Sequence, residues 1–260
     1  MATFLFDKVV FGPVISRRLG VSLGINLLPD DAKLCNFDCI YCECGWSNAP
    51  DQPKKKQFHT RNEVSEALES KLQEMVANNQ LPDVITFAGN GEPTMHPDFL
   101  DIINDTLALR DKYSPKARVA VLSNATMLNN EKVIEALYKI DQNILKIDSA
   151  FDETIQLIDQ PIKPINVKWL VEKLKSFKGE LIIQTMFVKG SFKGKELDNS
   201  TETEVNAWVD VVKEINPKEV MIYTIARDTP IDTLEKVSLD RLNEIASRIK
   251  ALGIDTQVSG

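Results

Sequence analysis

Residues 21–45 read VSLGINLLPDDAKLCNFDCIYCECG. The stretch opens with an apolar run, Val21 to Leu28, that predicts a buried strand, and Pro29 ends it. All four cysteines of the chain, Cys35, Cys39, Cys42 and Cys44, follow within ten residues. Five more short β-branched runs recur downstream, at Val84 to Phe87, Val119 to Leu122, Ile144 to Ile147, Leu181 to Val188 and Val220 to Ile225. Segments with helical spacing lie between them: Val64, Leu68, Leu72 and Met75 form one stripe, and Val205, Trp208, Val209, Val212 and Ile215 another. Thr60 to Glu63 and Thr201 to Glu204 predict capping boxes at the starts of these two. Further helices are expected over Phe99 to Arg110, Val133 to Leu137, Val167 to Leu174 and Leu242 to Leu252. Strict strand and helix alternation predicts an α/β fold with a parallel sheet, here a partial (β/α)6 barrel, with a doubly wound open sheet as the alternative. In either fold ligands gather at the carboxyl ends of the strands. The cysteine loop follows the first of those ends.

The chain has 260 residues, 43% hydrophobic and 27% charged, which excludes disordered and low-complexity classes. It reads as a single domain, 1–260, with a core of about 11–230 and a C-terminal helix and short tail at 231–260. Lys and Arg total 31 against 38 Asp and Glu, a net charge of −7, so a nucleic-acid surface would have to be local. No apolar run approaches the ~20 residues of a membrane span, and the first residues lack a leader pattern, so a cytoplasmic protein is expected.

Cysteines clustered this tightly in a long chain point to metal or redox chemistry rather than a disulfide framework. The spacing C-x3-C-x2-C allows three thiolates to take one iron each of a cubane cluster, leaving the fourth iron open to a ligand. Structural zinc wants four ligands in paired C-x2-C spacings, and Cys42 to Cys44 is too tight for such a pair. Cys44 reads as a bystander thiol, the alternative being a fourth cluster ligand that would close the open iron. His59 and His96, the only histidines, read as loop or cap residues.

The triad Cys35, Cys39 and Cys42, placed after the first strand, resembles the signature of the radical S-adenosylmethionine (radical SAM) superfamily. AGNGEPT after the second strand is similar to the superfamily's Gly-Gly-Glu motif, here Asn90, Gly91 and Glu92. FGPVISRRLGVSLGINLLP, the SNAT run, KIDSAFDE and IARDTP look like a subgroup related to the wyosine-type tRNA synthases. The resemblance implies a 4Fe-4S cluster on the three cysteines and S-adenosylmethionine on its open iron. It also implies an electron donor such as a flavodoxin or ferredoxin, and a 5'-deoxyadenosyl radical that abstracts hydrogen from substrate. Asn90, Gly91 and Glu92 then hold the methionine amino group, and Tyr41 sits where relatives place a residue against the adenine.

Asn124, Lys146, Asp148 and Gln184 stand at or in successive strands and are candidates for a cofactor wall, with Lys146 available to the methionine carboxylate. Any one of them alone reads equally well as a cap or a satisfied buried polar group, and Glu92 ahead of Pro93 as a helix-start carboxylate. Arg17, Arg18 and Arg227 are candidate substrate ligands, since paired guanidiniums suit phosphate or carboxylate. Arg227 and Asp228 alternatively pair with each other. No residue is assigned as catalytic. The acidic charge favours a small-molecule or peptide substrate over RNA, and only Cys44 remains for the additional cluster expected of wyosine-forming relatives. The alternatives are a tRNA-modifying wyosine-synthase-like enzyme, a glycyl-radical-enzyme activase, and a non-catalytic metal-binding module.

Overall fold

The structure, a computed structural model, describes residues 4–16, 18–50, 52–53 and 56–260. The described residues divide into two compact units, one within 5–35 and 48–143, the other formed by residue 4 with 36–47 and 144–260. Elements in the first are β1 (Val10–Ser16), β2 (Gly20–Ile25), α1 (Arg61–Ala77), β3 (Val84–Phe87), α2 (Phe99–Tyr113), β4 (Arg118–Ser123) and α3 (Glu131–Lys139). Strands β2, β3 and β4 run parallel, Leu23 opposite Ile85 and Ile85 opposite Val119. All four residues of β3 are buried, as expected of a parallel strand covered on both faces. Helix α1 turns Val64, Leu68, Leu72 and Met75 inward, and both arms of its Thr60–Glu63 capping box form. Each of those side chains contributes roughly 1.5–3 kcal/mol by burial. Strand β1, which has no counterpart among the expected strands, pairs antiparallel with β2. Gly24 permits this: a Cβ there would stand 2.2 Å from the Phe11 ring.

In the second unit β5 (Gln142–Lys146) leads to α4 (Asp152–Asp159), α5 (Val167–Lys175), β6 (Ile182–Met186), β7 (Val188–Phe192), β8 (Lys195–Asp198), α6 (Glu202–Ile215), β9 (Glu219–Tyr223), β10 (Leu234–Lys236), α7 (Leu239–Lys250) and β11 (Asp255–Ser259). Strands β5, β6, β9 and β11 are parallel neighbours in that order. Strands β10, β7 and β8 form a separate antiparallel sheet. The residues after 230 thus hold two strands besides the expected helix.

Two local readings are corrected. The run Leu181 to Val188 is not one strand but β6 and β7, broken at Phe187. There Met186 N–H donates to Asp148 (3.0 Å) and Phe187 N–H to the Tyr223 carbonyl (2.8 Å), while the Asn199 side chain accepts from Val188 N–H (2.8 Å) and donates to the Met186 and Asp148 carbonyls. At α6, Thr201 caps the Glu204 N–H, but the Glu204 carboxylate turns away to accept from Ser149 (2.7 Å) and Thr154 (2.6 Å), so the reciprocal arm does not form. Asn199→Ala leaves buried backbone groups unpaired, at about 1–3 kcal/mol each. Chemical denaturation should show that loss, and an unchanged midpoint and slope would remove Asn199 from this role.

Candidate active site

In the first unit the segment leading to Cys35 is fixed by backbone contact. Leu34 N–H donates to the Asn90 carbonyl (2.8 Å) and Glu92 N–H to the Leu34 carbonyl (3.2 Å). Gly91, at φ +143°, lets the chains meet, because a Cβ on it would lie 2.0 Å from the Leu34 carbonyl oxygen. Asn90 is fully buried and works as a knot: its amide donates to the Phe6 (2.8 Å) and Pro29 (2.7 Å) carbonyls and accepts from Phe6 N–H. Its own N–H goes to Asn26 Oδ1 (3.1 Å).

Glu92 is 2% exposed and caps a 3-10 turn at Pro93–Met95. Its Oε1 accepts from Thr94 N–H (3.1 Å), Thr94 Oγ1 (2.5 Å) and Ser123 Oγ (2.9 Å), and its Oε2 from Asn124 N–H (2.7 Å). Burial pushes its carboxyl above the usual range, against the pull of these donors. Asn124, just past β4, directs its Nδ2 to Cys35 Sγ at 3.7 Å.

In the second unit Cys39 and Cys42 flank a turn closed by Cys42 N–H to the Cys39 carbonyl (3.0 Å). Asp38 and Ile40 N–H groups donate to the carbonyls of Asp159 (3.1 Å) and Ile158 (2.9 Å), tying this turn to the end of α4. Lys146, the last residue of β5, donates to Cys39 Sγ at 3.0 Å, forms a hydrogen-bonded ion pair with Asp159 and lies 3.2 Å from Asp148. Its ammonium also sits over the rings of Tyr41 (4.9 Å) and Phe37 (5.1 Å). The Tyr41 hydroxyl donates to Asp148. Burial pushes Lys146 down, but Asp148, Asp159 and Cys39 together hold it well above the ordinary lysine range. Burial raises Tyr41, and Asp148 adds to that; burial likewise raises Asp159, against the Lys146 ammonium. Gln184, buried in β6, is the register partner of Lys146.

The expected site residues thus fall into two groups, Cys35 with Asn90, Gly91, Glu92 and Asn124, and Cys39 with Cys42, Tyr41, Lys146, Asp148 and Gln184. Asp159 was missed, since a lone acidic residue ahead of Gln-Pro carries no sequence signal. His59 and His96 are loop and cap residues as expected, His59 against Asp30 (3.0 Å) and His96 on the His59 carbonyl (2.7 Å). Arg227 pairs with Glu43 (2.6 Å) and not with Asp228. Arg18 lies in the turn after β1, and Arg17 lies outside the described residues.

Cys35, Cys39 and Cys42 are half-buried, whereas Cys44 is buried. Cys35 receives an N–H donor from Asn124 and Cys39 one from Lys146. Soft sulfur donors supplied with outer hydrogen bonds, as at Cys35 in the first unit and at Cys39 in the second, suit an iron–sulfur centre. The profile of the radical SAM superfamily matches residues 32–193, more than half of the sequence.

The chain belongs to the radical SAM superfamily.

A UPF0026 protein of Methanocaldococcus jannaschii is 30% identical over 259 residues, 94% of this chain and 75% of that one, so UPF0026 proteins are relatives within the superfamily. A protein of Brachyspira hyodysenteriae named GTPase Obg is 33% identical over 229 residues, which is 86% of this chain but only 31% of that protein. The crystal structure of a radical SAM methyltransferase from Sphaerobacter thermophilus superposes with a TM-score of 0.66 at 12% identity, over 92% of this chain and 65% of that one. That likeness shows the fold, the partial barrel expected from the strand and helix alternation. The radical SAM family implies S-adenosylmethionine and an iron–sulfur cluster, and the chain is an enzyme of that superfamily. No helix among the described residues is long and apolar enough to cross a membrane.

The Gly91 contact is testable without any cofactor. Gly91→Ala adds a clash with backbone to an unfavourable φ and should cost more than the roughly 1–2 kcal/mol of a left-handed non-glycine residue. Gly194→Ala, at φ +75° with nothing within 4 Å, should cost only that backbone penalty. Equal losses in denaturation would show that the Leu34 contact yields.

Proposed function

We propose that this enzyme holds a 4Fe-4S cluster on Cys35, Cys39 and Cys42 and cleaves S-adenosylmethionine reductively to act on a small-molecule or peptide substrate. The observation that carries this is the C-x3-C-x2-C loop following β2, with an amide and an ammonium already directed at two of its sulfurs. Cys35, Cys39 and Cys42 would hold the cluster, which would supply one-electron reduction of the sulfonium, the electron coming from a flavodoxin or ferredoxin, to give methionine and a 5'-deoxyadenosyl radical able to take a hydrogen atom from substrate.

The chain's part is to hold and orient. Asn90 and Gly91 fix the backbone beside Cys35, and Glu92 offers a carboxylate to the cofactor's ammonium. Among the described residues, Oε1 of Glu92 is filled by three donors, whereas Oε2 accepts only Asn124 N–H and keeps a lone pair for one more. The Tyr41 hydroxyl, bonded to Asp148, holds its ring for the proposed stacking on the adenine. Asn124, Asp148 and Gln184 complete the proposed cofactor wall, and Arg18 and Arg227, with Arg17, are the proposed substrate ligands.

The cations that an RNA would need are partly engaged within the protein. Arg61 makes a two-pronged contact with Asp105 (2.6 and 2.8 Å), Arg227 pairs with Glu43, and Lys56 donates to the Lys33 carbonyl (2.7 Å). Together with the net charge of −7, this supports a substrate smaller than tRNA.

Two experiments bear on the reading. After anaerobic reconstitution, Cys35→Ala, Cys39→Ala and Cys42→Ala should each lose iron and visible absorbance while Cys44→Ala retains both; a Cys44 variant as depleted as the others defeats the three-ligand assignment. Bulk tRNA should bind the reconstituted protein weakly and without saturation at moderate salt. Saturable binding with a steep salt slope, lost in the Arg17→Ala, Arg18→Ala double variant, would make RNA the substrate.

A further inference from the structure

Lys146 was expected to meet the methionine carboxylate, but its contacts point elsewhere. An ammonium has three N–H donors, and three acceptors lie within 3.2 Å of this one: Asp159 Oδ1, Asp148 Oδ2 and Cys39 Sγ. Its remaining surroundings are the faces of Tyr41 and Phe37. The side chain is 8% exposed, with Asp148 at 0% and Asp159 at 2%, so the charge acts at short range with little screening. The ammonium is thus surrounded by acceptors of the protein itself.

We propose that Lys146 is a positioning residue that sets the reduction potential of the cluster through Cys39, and that Asp159 sets how much of the lysine's charge the sulfur feels. The proposal rests on the cluster reading above and adds to it. Hydrogen bonds to cluster sulfurs and nearby positive charge stabilise the reduced, more negative state and so raise the potential. The two carboxylates oppose this by drawing the ammonium and adding negative charge. The consequence is a pair of opposite effects from two residues in contact: removing the lysine lowers the potential, and neutralising Asp159 raises it. Asp148 is left out of the test because its Oδ1 also holds Met186 N–H and its loss would disturb β6.

The measurement is an anaerobic redox titration of the reconstituted cluster, followed by electron paramagnetic resonance without S-adenosylmethionine or substrate. Lys146→Met and Lys146→Gln should both shift the midpoint down, Gln less because its amide can still donate to sulfur, and Asp159→Asn should shift it up. A midpoint unmoved in Lys146→Met and Asp159→Asn proteins with full iron content overturns the proposal, as does a shift of both in the same direction. If the lysine variants fail to hold iron, Asp159→Asn alone decides, an upward shift supporting the role and none refuting it. A wild-type protein that takes up no iron is a different result, and defeats the cluster reading itself.

Discussion

A strand in a parallel sheet ends with backbone groups whose neighbours have already turned away, and in this protein buried side chains take them up. Asn26 accepts from Leu28 (3.2 Å) and Asn90 N–H, and Glu92 from Thr94 and Asn124 N–H. Asp148 accepts from Met186 N–H, and Asn199 from Val188 N–H. An unpaired buried group would cost about 1–3 kcal/mol, so these contacts set the course of every segment that leaves the strands near the cysteines. Glu92, Asn124 and Asp148 are therefore committed to the fold before any cofactor is considered. A residue can bind a ligand and still be built into the scaffold, and a variant of such a residue must be read for stability as well as for activity.

Charge is used differently on the surface and in the interior. The Arg241, Arg248, Glu202 and Glu244 network links α6 and α7 through contacts of 2.7–2.8 Å, but its carboxylates are half-exposed and screened, so each pair is worth about 0–1 kcal/mol. Lys146 with Asp148 and Asp159 is buried and holds one positive charge against two carboxyl groups. Burial pushes the Asp159 carboxyl up, and the Lys146 ammonium pulls against that. A buried pair of this kind is poor evidence for stability, since well-packed apolar residues would do as well, which leaves a role toward the neighbouring sulfur as the better account of it.

Parallel strands β2, β3, β4, β5, β6 and β9 were legible because each is a short apolar, largely buried run, and the helices other than α4 because their stripes recur at helical spacing. The elements that escaped are those without such a pattern. Strand β11, Asp-Thr-Gln-Val-Ser, is only half-buried and is held by its parallel pairing with β9. The start of β7 was hidden at the end of an apolar run because the break at Phe187 is imposed by Asp148 and Asn199 from elsewhere in the chain. In the site, the cysteines and the Asn90 to Glu92 segment were visible as motifs. Asp159 was not, because its meaning comes only from Lys146, thirteen residues away in sequence. Glu204 shows the opposite failure, a correct local pattern whose carboxylate finds better donors in Ser149 and Thr154.

The cysteine spacing itself has a conformational reading. Cys39 and Cys42 are the first and last residues of one β-turn, and Cys42 and Gly45 those of the next, closed by Gly45 N–H to the Cys42 carbonyl at 2.9 Å. A turn brings its end residues within about 7 Å of each other at Cα, so an x2 gap brings the two cysteine backbones together. Cys44 occupies an interior position of the second turn, and its side chain is buried while those of Cys39 and Cys42 remain accessible. The longer x3 gap covers Asn36 to Asp38, which are spent on contacts to the end of α4: Ile162 N–H donates to the Asn36 carbonyl (3.0 Å) and Asp38 N–H to Asp159. Those contacts anchor the turn beside the strand that carries Lys146. The spacing thus follows from two consecutive turns and one anchored step, and the same geometry that pairs Cys39 with Cys42 turns Cys44 away.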